Sequence, residues 1–372
     1  MDDGIESTGS RALKLLIAII TTLALSEIFI ADFMTYEIPW LIVGRLYLYA
    51  GTGIISVSIA IFILHGKEKK ALSSTTQLQR RIILLLGSLW ILDGILQLQP
   101  EMAFGFTAFV LTPVAMSSPE WLHPALNSAI ATWAVHQVFF DAVSACLQIF
   151  IGLGMIVLRS RRNIVIFGGV SFTWAIMVWI FGEGLGEIFS PGFSFITGFP
   201  GSALVYAIMS LFIMQDVEEA VTVKRISGFM AVLFTLSALI QALSWNGFWS
   251  SGGISRITYS LAYNAQPRLL AYLMFHAADV LAAGIIIWNI IFTLVMVLIA
   301  ISWLKSVKIA SAMTAILASA FWFFGQDFGI FGGYGTDPNT ALPIILLALM
   351  VFLIKKDSAS SCVNSGNPAT SD

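Results

Sequence analysis

Long apolar runs recur along this chain, and they leave a bundle of membrane-spanning helices as its main structural option. The chain of 372 residues is 58% hydrophobic and 11% charged, with a mean hydropathy of +0.89, whereas soluble domains carry about 25% charged residues. A helix needs about 20 apolar residues to cross a bilayer. We therefore predict an all-α integral membrane protein with about ten transmembrane helices. The predicted spans are 12–33, 46–65, 82–98, 138–158, 163–184, 199–214, 226–244, 282–304, 307–327 and 341–354.

The basic residues orient these spans. With both termini on the cytoplasmic side, 16 of the 19 Lys and Arg residues fall in cytoplasmic segments. This excess follows the positive-inside rule. The first run, 12–33, is too long for the apolar part of a signal peptide and has no clear cleavage site after it, so it is predicted to be retained. We expect a multi-pass protein of the cell (plasma) membrane with both termini in the cytoplasm.

The second half of the chain repeats the first. The offset between matching segments drifts between 138 and 148 residues, which indicates short insertions and deletions in loops. Each unit has four predicted spans, and an even number preserves orientation, so the units are predicted to be parallel repeats. The matching segments are 89–100 with 233–244, 119–141 with 267–289, 178–186 with 321–329, and 199–204 with 337–342.

The repeat divides the chain into four parts. Residues 1–66 form an N-terminal two-helix membrane segment, 82–214 the first four-helix unit and 226–354 the second. Residues 357–372 are rich in Ser, Asn, Gly and Ala, which predicts a disordered cytoplasmic tail. In each unit a long outer loop follows the first span, and we expect it to contain a short interfacial helix.

Asp93 is the sharpest candidate for a functional residue. It lies 12 residues beyond Arg81, or about 18 Å along a helix, and Gln97 follows one turn later on the same face. A charge at the bilayer centre costs at least about 2.5 kcal/mol, so intramembrane carboxylates are functional hypotheses by default. The alternative is a structural hydrogen bond to Gln97, Gln137 or a carbonyl.

Other polar residues cluster near the outer ends of the spans. His136, Gln137 and Asp141 lie at the start of one span, and Glu183 and Glu187 at the end of the next. The spacing of the two glutamates predicts a shared helix face, which would be either a wet outer vestibule or a plain helix exit. The second unit keeps polar residues at matching places, although most have lost the charge: Gln241, Asn289, Gln326 and Asp327.

Glycines flank these glutamates in a GxxxG pattern that both units share. Gly182 and Gly186 match Gly325 and Gly329. The pattern is typical of close helix packing, and close approach of the backbone to a ligand is the alternative.

Cofactor motifs are missing from the sequence. It has two cysteines and no CxxC, CxxCH, HExxH or GxxxxGK[ST] motif, so no cofactor is named and no metal site is predicted. A metal held by His136, Asp141 and Glu183 is an alternative, since these are suitable donors on neighbouring helices. Haem is disfavoured, because it needs two facing histidines at membrane depth.

Two segments resemble DoxX-like four-helix membrane proteins. They are GSLWILDGILQLQP, with Gly87, Trp90 and Pro100, and LQIFIGLGMIVLRSRR, with Gly152 and Arg159. The resemblance covers each four-span unit, although that family usually has single units, and the FGEGLG and FGQDFG segments depart from it. It implies a redox role, since some DoxX-like proteins serve quinone-linked sulfur oxidation, and it names no catalytic residue here.

These observations lead to three hypotheses for function. The first is a transporter or permease-like protein, not an enzyme, for a small solute or cation, with its polar site in the outer half of the bilayer. The second is a quinone-binding membrane subunit of a redox complex that needs a partner subunit. The third is a structural or assembly protein. The lipid bilayer is the expected partner in all three, and a net charge of −2 gives no reason to expect nucleic acid.

Overall fold

The structure, a computed structural model, describes residues 40–67, 75–188, 190, 192–250, 252–264 and 267–364. Within these ranges it is all-helical and has no β-strand, which confirms the predicted fold class there. The predicted span 12–33 lies outside the described residues. The predicted tail at 357–372 overlaps the last helix, which ends at Asn364.

Fourteen α-helices lie in the described part of the chain. They are α1 (Trp40–Lys67), α2 (Gln77–Leu96), α3 (Met102–Phe106), α4 (Thr112–Ser117), α5 (His123–Val135), α6 (Gln137–Val157), α7 (Arg161–Phe181), α8 (Ser202–Met214), α9 (Glu219–Ala242), α10 (Gly253–Asn264), α11 (Arg268–Ala282), α12 (Ile285–Lys305), α13 (Val307–Phe324) and α14 (Ala341–Asn364). A π-helical turn, Thr107–Leu111, joins α3 to α4, and short 3₁₀ helices span Phe195–Thr197, Ser244–Asn246 and Asp327–Gly329.

Six of the described helices are long and apolar enough to cross a membrane, namely α1, α6, α7, α9, α12 and α13. Other predicted spans coincide with helices that are shorter or more charged. Helix α2 carries Arg80, Arg81 and Asp93 among its 20 residues, and α8 has 13 residues. The apolar part of α14, Ala341–Leu353, is also short. The total of ten spans stays a prediction.

The helices pack as matching pairs. Helix α2 packs along α6, and α9 along α12; α7 packs along α8, and α13 along α14. Glycines bring α2 and α6 close together, since a Cβ added at Gly152 would lie 2.4 Å from the carbonyl oxygen of Gly87. The segments that follow α2 and α9 hold more helix than the single interfacial helix we predicted in each: α3, α4 and α5 in the first, and α10 and α11 in the second.

The backbone after α7 corrects the prediction that Glu183 and Glu187 share a helix face. Helix α7 ends at Phe181, and positive φ angles of 52° at Gly184, 67° at Gly186 and 53° at Glu187 take the chain out of the helix. Glycine adopts this region without a steric penalty. The two glutamates therefore lie in a turn, with different surroundings.

The GxxxG glycines likewise allow loops, and not helices, to pack closely together. A Cβ added at Gly186 would lie 2.1 Å from the carbonyl oxygen of Pro200. A Cβ added at Gly325 would lie 2.3 Å from the carbonyl oxygen of Ile196. The prediction of close helix packing was therefore wrong for these glycines: the backbones that meet closely belong to turns, because both helices end before the pattern begins.

Two loops cross between the predicted units 82–214 and 226–354. We call residues 182–201, between α7 and α8, the first crossing loop, and 325–340, between α13 and α14, the second. Phe195 of the first crossing loop is fully buried and packs on Phe234 of α9 and Phe321 of α13, with ring centroids 5.1 and 6.0 Å apart. On the second crossing loop, the Gly335 carbonyl accepts a hydrogen bond of 2.9 Å from Gln99 Nε2.

Candidate functional site

A cavity of about 420 Å³ lies among α2, α5, α6, α7 and α8. The second crossing loop contributes Thr336 and Asp337 to its wall. Three carboxyl groups line it, on Asp93, Glu183 and Asp337. Three of the predicted candidates, Asp93, Gln97 and Glu183, are thereby brought to one cavity.

Glu183 is held by the start of helix α8. Its Oε1 accepts hydrogen bonds from Ser202 Oγ at 2.6 Å and from the Ala203 amide at 3.0 Å. A helix N-terminus favours a carboxylate there. Its Oε2 is buried and has no hydrogen-bond donor among the described residues. The carboxyl group is thus fixed in place while one oxygen stays free to accept.

Burial sets the proton affinity of this carboxyl group. Desolvation and, to a smaller extent, the charge of Asp337 raise the pKa of Glu183 to about 8, although the hydrogen bonds from Ser202 and Ala203 oppose the shift. Glu183 therefore changes charge near neutral pH, unlike a solvated glutamate.

Asp337 comes from the opposite unit. It sits in the TDPNT turn, where its Oδ1 accepts a hydrogen bond of 2.8 Å from the Asn339 amide, as in an Asx turn. Burial raises the pKa of Asp337, and a hydrogen bond from Ser202 opposes the shift. Since Ser202 contacts both carboxyl groups, it couples the second crossing loop to Glu183.

Asp93 and Asp141 lie on either side of Gln97. Asp93 is 2% exposed, lines the cavity, and accepts a long hydrogen bond of 3.4 Å from the Tyr206 hydroxyl. Gln97 Nε2 donates to Asp141 Oδ1 at 3.2 Å, and Trp133 Nε1 donates to the same oxygen at 2.8 Å. Asp141 is fully buried and does not line the cavity, so it positions two residues of the wall.

Three other predicted residues lie away from the cavity. Gln137 donates to the Met102 carbonyl and accepts from the Thr107 hydroxyl, so it secures the π-helical turn. His136 is exposed at the junction of α5 and α6. Glu187 is exposed and accepts a hydrogen bond from Ser117.

The second unit's predicted residues form separate polar contacts. Gln241 donates to Asn289 at 2.5 Å and accepts from Ser194 of the first crossing loop. Gln326 donates to the Phe195 carbonyl at 2.9 Å. Asp327 has a positive φ of 46°, and its buried Oδ1 has no partner among the described residues. None of these four residues lines the cavity described above.

Sequence reasoning missed Asp337, Tyr206 and the tryptophans of the cavity wall. Asp337 belongs to the second predicted unit by sequence, and only the crossing of the loops brings it to a cavity lined by the first. Within the described part of the chain, no three His, Cys, Asp or Glu side chains are arranged to hold a metal ion. The alternative metal site of His136, Asp141 and Glu183 is not assembled.

Comparisons with known proteins add no relative. No family model, no curated protein and no solved structure matches the chain. The DoxX-like resemblance therefore stays a hypothesis, and the function has to be argued from the cavity.

Proposed function

We propose that this chain is a transporter or permease-like membrane protein for a small solute or cation, and that the cavity is its binding site. The observation that carries the proposal is the joint lining of one cavity by Asp93, Gln97 and Glu183. Binding pockets for small molecules are usually apolar clefts of about 300–1,000 Å³ with a few convergent polar groups. Burying a carboxyl group in a membrane protein costs free energy, so such a group is a functional hypothesis by default.

A ten-span protein with two parallel repeats is part of this proposal. Matching hydrogen bonds support the repeat. Trp179 Nε1 donates to the Pro200 carbonyl at 2.9 Å, and Trp322 Nε1 donates to the Pro338 carbonyl at 2.8 Å. Repeats of this kind frame the substrate sites of many transporters.

The polar residues of the two units also make equivalent bonds. Oε1 of Glu183 accepts from the Ala203 amide, and Oε1 of Gln326 accepts from the Ala341 amide at 2.9 Å. The pair Gln97–Asp141 has its counterpart in Gln241–Asn289. The units share a scaffold, and the carboxylates of the first adapt it for a ligand. We further propose that the protein lies in the plasma membrane with both termini in the cytoplasm.

Reconstitution tests the proposal. The full chain in proteoliposomes is offered neutral, anionic and cationic solutes, and uptake is compared with protein-free liposomes. Ala129→Phe adds bulk to the half-buried cavity wall without changing charge, and Ala131→Phe adds the same bulk at an exposed position of the same helix. We expect uptake of at least one solute, its loss in Ala129→Phe, and its retention in Ala131→Phe.

Two results would refute transport through this cavity. One is uptake no greater than in protein-free liposomes for every solute. The other is equal uptake by wild type and Ala129→Phe. A stoichiometric quinone in the purified protein, displaced in Ala129→Phe, would favour the redox hypothesis.

A further inference from the structure

We infer that the cavity binds a protonated organic amine with an apolar body, one molecule per chain. The inference rests on the proposed function, because it names the class of ligand for the same site. It follows from the charge of the lining, the chemistry of the walls, one free hydrogen-bond acceptor, and the uncharged counterpart of Glu183 in the second unit.

The charge of the lining favours a cation. Asp93, Glu183 and Asp337 contribute three carboxyl groups, and none of the described residues around the cavity is Lys, Arg or His. An anion would meet only repulsion from the ionised carboxylates. A cation removes the mutual repulsion of the carboxylates and pairs with them where little water competes.

The walls favour an organic cation over a metal ion. Aromatic side chains from several elements surround the carboxylates, among them Trp90, Trp133, Trp174, Phe181 and Tyr206. Aromatic faces attract ammonium groups and bury apolar bodies. Hard metal ions require about six or more oxygen ligands close together, and a cavity of about 420 Å³ is far larger than such an ion.

The free oxygen of Glu183 favours an ammonium group that carries N–H bonds. Oε1 is already occupied by Ser202 and Ala203, while Oε2 is buried without a donor. A buried acceptor without a donor costs about 1–3 kcal/mol. Since Oε2 is buried, the carboxylate has to rotate toward the cavity for an N–H of a protonated amine to supply that donor, and a quaternary ammonium group cannot supply it.

The second unit shows why one site per chain is expected. Phe195 packs between α9 and α13, where it contacts Phe234 and Phe321. Gln326 stands at the place that matches Glu183, and its Nε2 donates to the Phe195 carbonyl. At this place the second unit therefore has an amide already bonded to the protein, and not a carboxylate that could pair with an amine.

Titration calorimetry on the purified full chain in detergent tests the ligand class. The probes are phenethylamine, phenethyl alcohol and phenethyltrimethylammonium, which share one apolar body, at a pH above about 8 where Glu183 is ionised. We expect phenethylamine to bind at one per chain, and both other probes to bind at least about tenfold more weakly. No binding of the amine, or equal binding of the alcohol, would overturn the inference. Equal binding of the quaternary probe would overturn the proposed hydrogen bond from an N–H of the amine to Glu183.

Matched variants locate the site. Glu183→Gln keeps an acceptor for Ala203, and Gln326 shows that glutamine fits this fold, since it accepts from the Ala341 amide. We expect Glu183→Gln and Asp93→Asn each to weaken amine binding about tenfold or more. Asp279→Asn, a control at a carboxylate that bonds Tyr259 outside the cavity, should bind as wild type. Undiminished binding by both site variants would overturn the inference.

Calorimetry and uptake together distinguish failure of the amine site from failure of transport. Amine binding in calorimetry without uptake into proteoliposomes would refute transport and keep the amine site. Uptake of a neutral or anionic solute, with no amine binding, would refute the amine site and keep transport.

Discussion

Replacing Gly201 with alanine tests how closely the first crossing loop packs around Glu183. Gly201 has a φ of +100° and ψ of 140°, a conformation that an alanine rarely adopts. A Cβ at this position would lie 2.2 Å from Glu183 Oε2 and 3.1 Å from Trp179 Cδ1. Neither neighbour moves freely, because Glu183 is bonded to Ser202 and Ala203, and Trp179 to Pro200.

The two penalties can be estimated separately. A backbone conformation of this kind costs a non-glycine residue about 1–3 kcal/mol. Overpacking by one methyl group costs about 1–3 kcal/mol when neighbours have to shift. Because the Glu183 carboxylate can rotate at the loss of a hydrogen bond, we expect Gly201→Ala to destabilise the protein by about 2–4 kcal/mol.

Thermal unfolding in detergent, followed by intrinsic fluorescence, measures the effect. Gly169→Ala is the control, because it lies in α7 and a Cβ there meets nothing within 4 Å. Alanine is favoured over glycine in a helix by about 0.8–1.0 kcal/mol, so Gly169→Ala should unfold at or above the wild-type temperature. If Gly201→Ala unfolds at the wild-type temperature, the packing of this loop against Glu183 is wrong.

Three further predictions concern the two units. Phe195→Ala should destabilise the protein by about 3–5 kcal/mol through the cavity it leaves, and an unchanged unfolding temperature would contradict the role of this ring. Stability should fall as the pH rises from about 5 to 8, by up to about 1.4 kcal/mol per pH unit. The reason is that folded Glu183 keeps its proton up to about pH 8, whereas the unfolded residue loses it near pH 4.5. Glu183→Gln should therefore reduce the slope of stability against pH, and an equal slope in this variant would refute the role of Glu183. Gln241→Leu should cost about 1–3 kcal/mol, because it leaves Asn289 without its buried partner, and thermal unfolding checks it.

The apolar runs predicted the helices well because helix formation in a membrane depends on local composition. In the described part, each predicted span coincides with a helix. The residues of two buried pairs were predicted as candidates because they are polar residues within apolar helices, but their pairing was not: Gln97 with Asp141, and Gln241 with Asn289. Such residues have few partners other than one another.

The crossing loops could not be predicted, because they depend on contacts far apart in the chain. The pattern of Glu183 and Glu187 is equally compatible with a continued helix, and only the positive φ angles at Gly184 and Gly186 end it. Asp337 reaches the cavity of the other unit through the second crossing loop. A prediction from the second repeat unit alone would place Asp337 among the contacts of its own unit and away from this cavity.

We propose that the buried carboxyl group of Asp93 binds a transported ligand and is not required for folding. The most direct test is uptake by proteoliposomes containing wild type or Asp93→Asn, at matched protein content and with matched unfolding temperatures. Asparagine can still pair with the Tyr206 hydroxyl, so the bundle should insert and fold. We expect Asp93→Asn to abolish uptake of the solute that wild type carries. A folded Asp93→Asn protein with full uptake would contradict it.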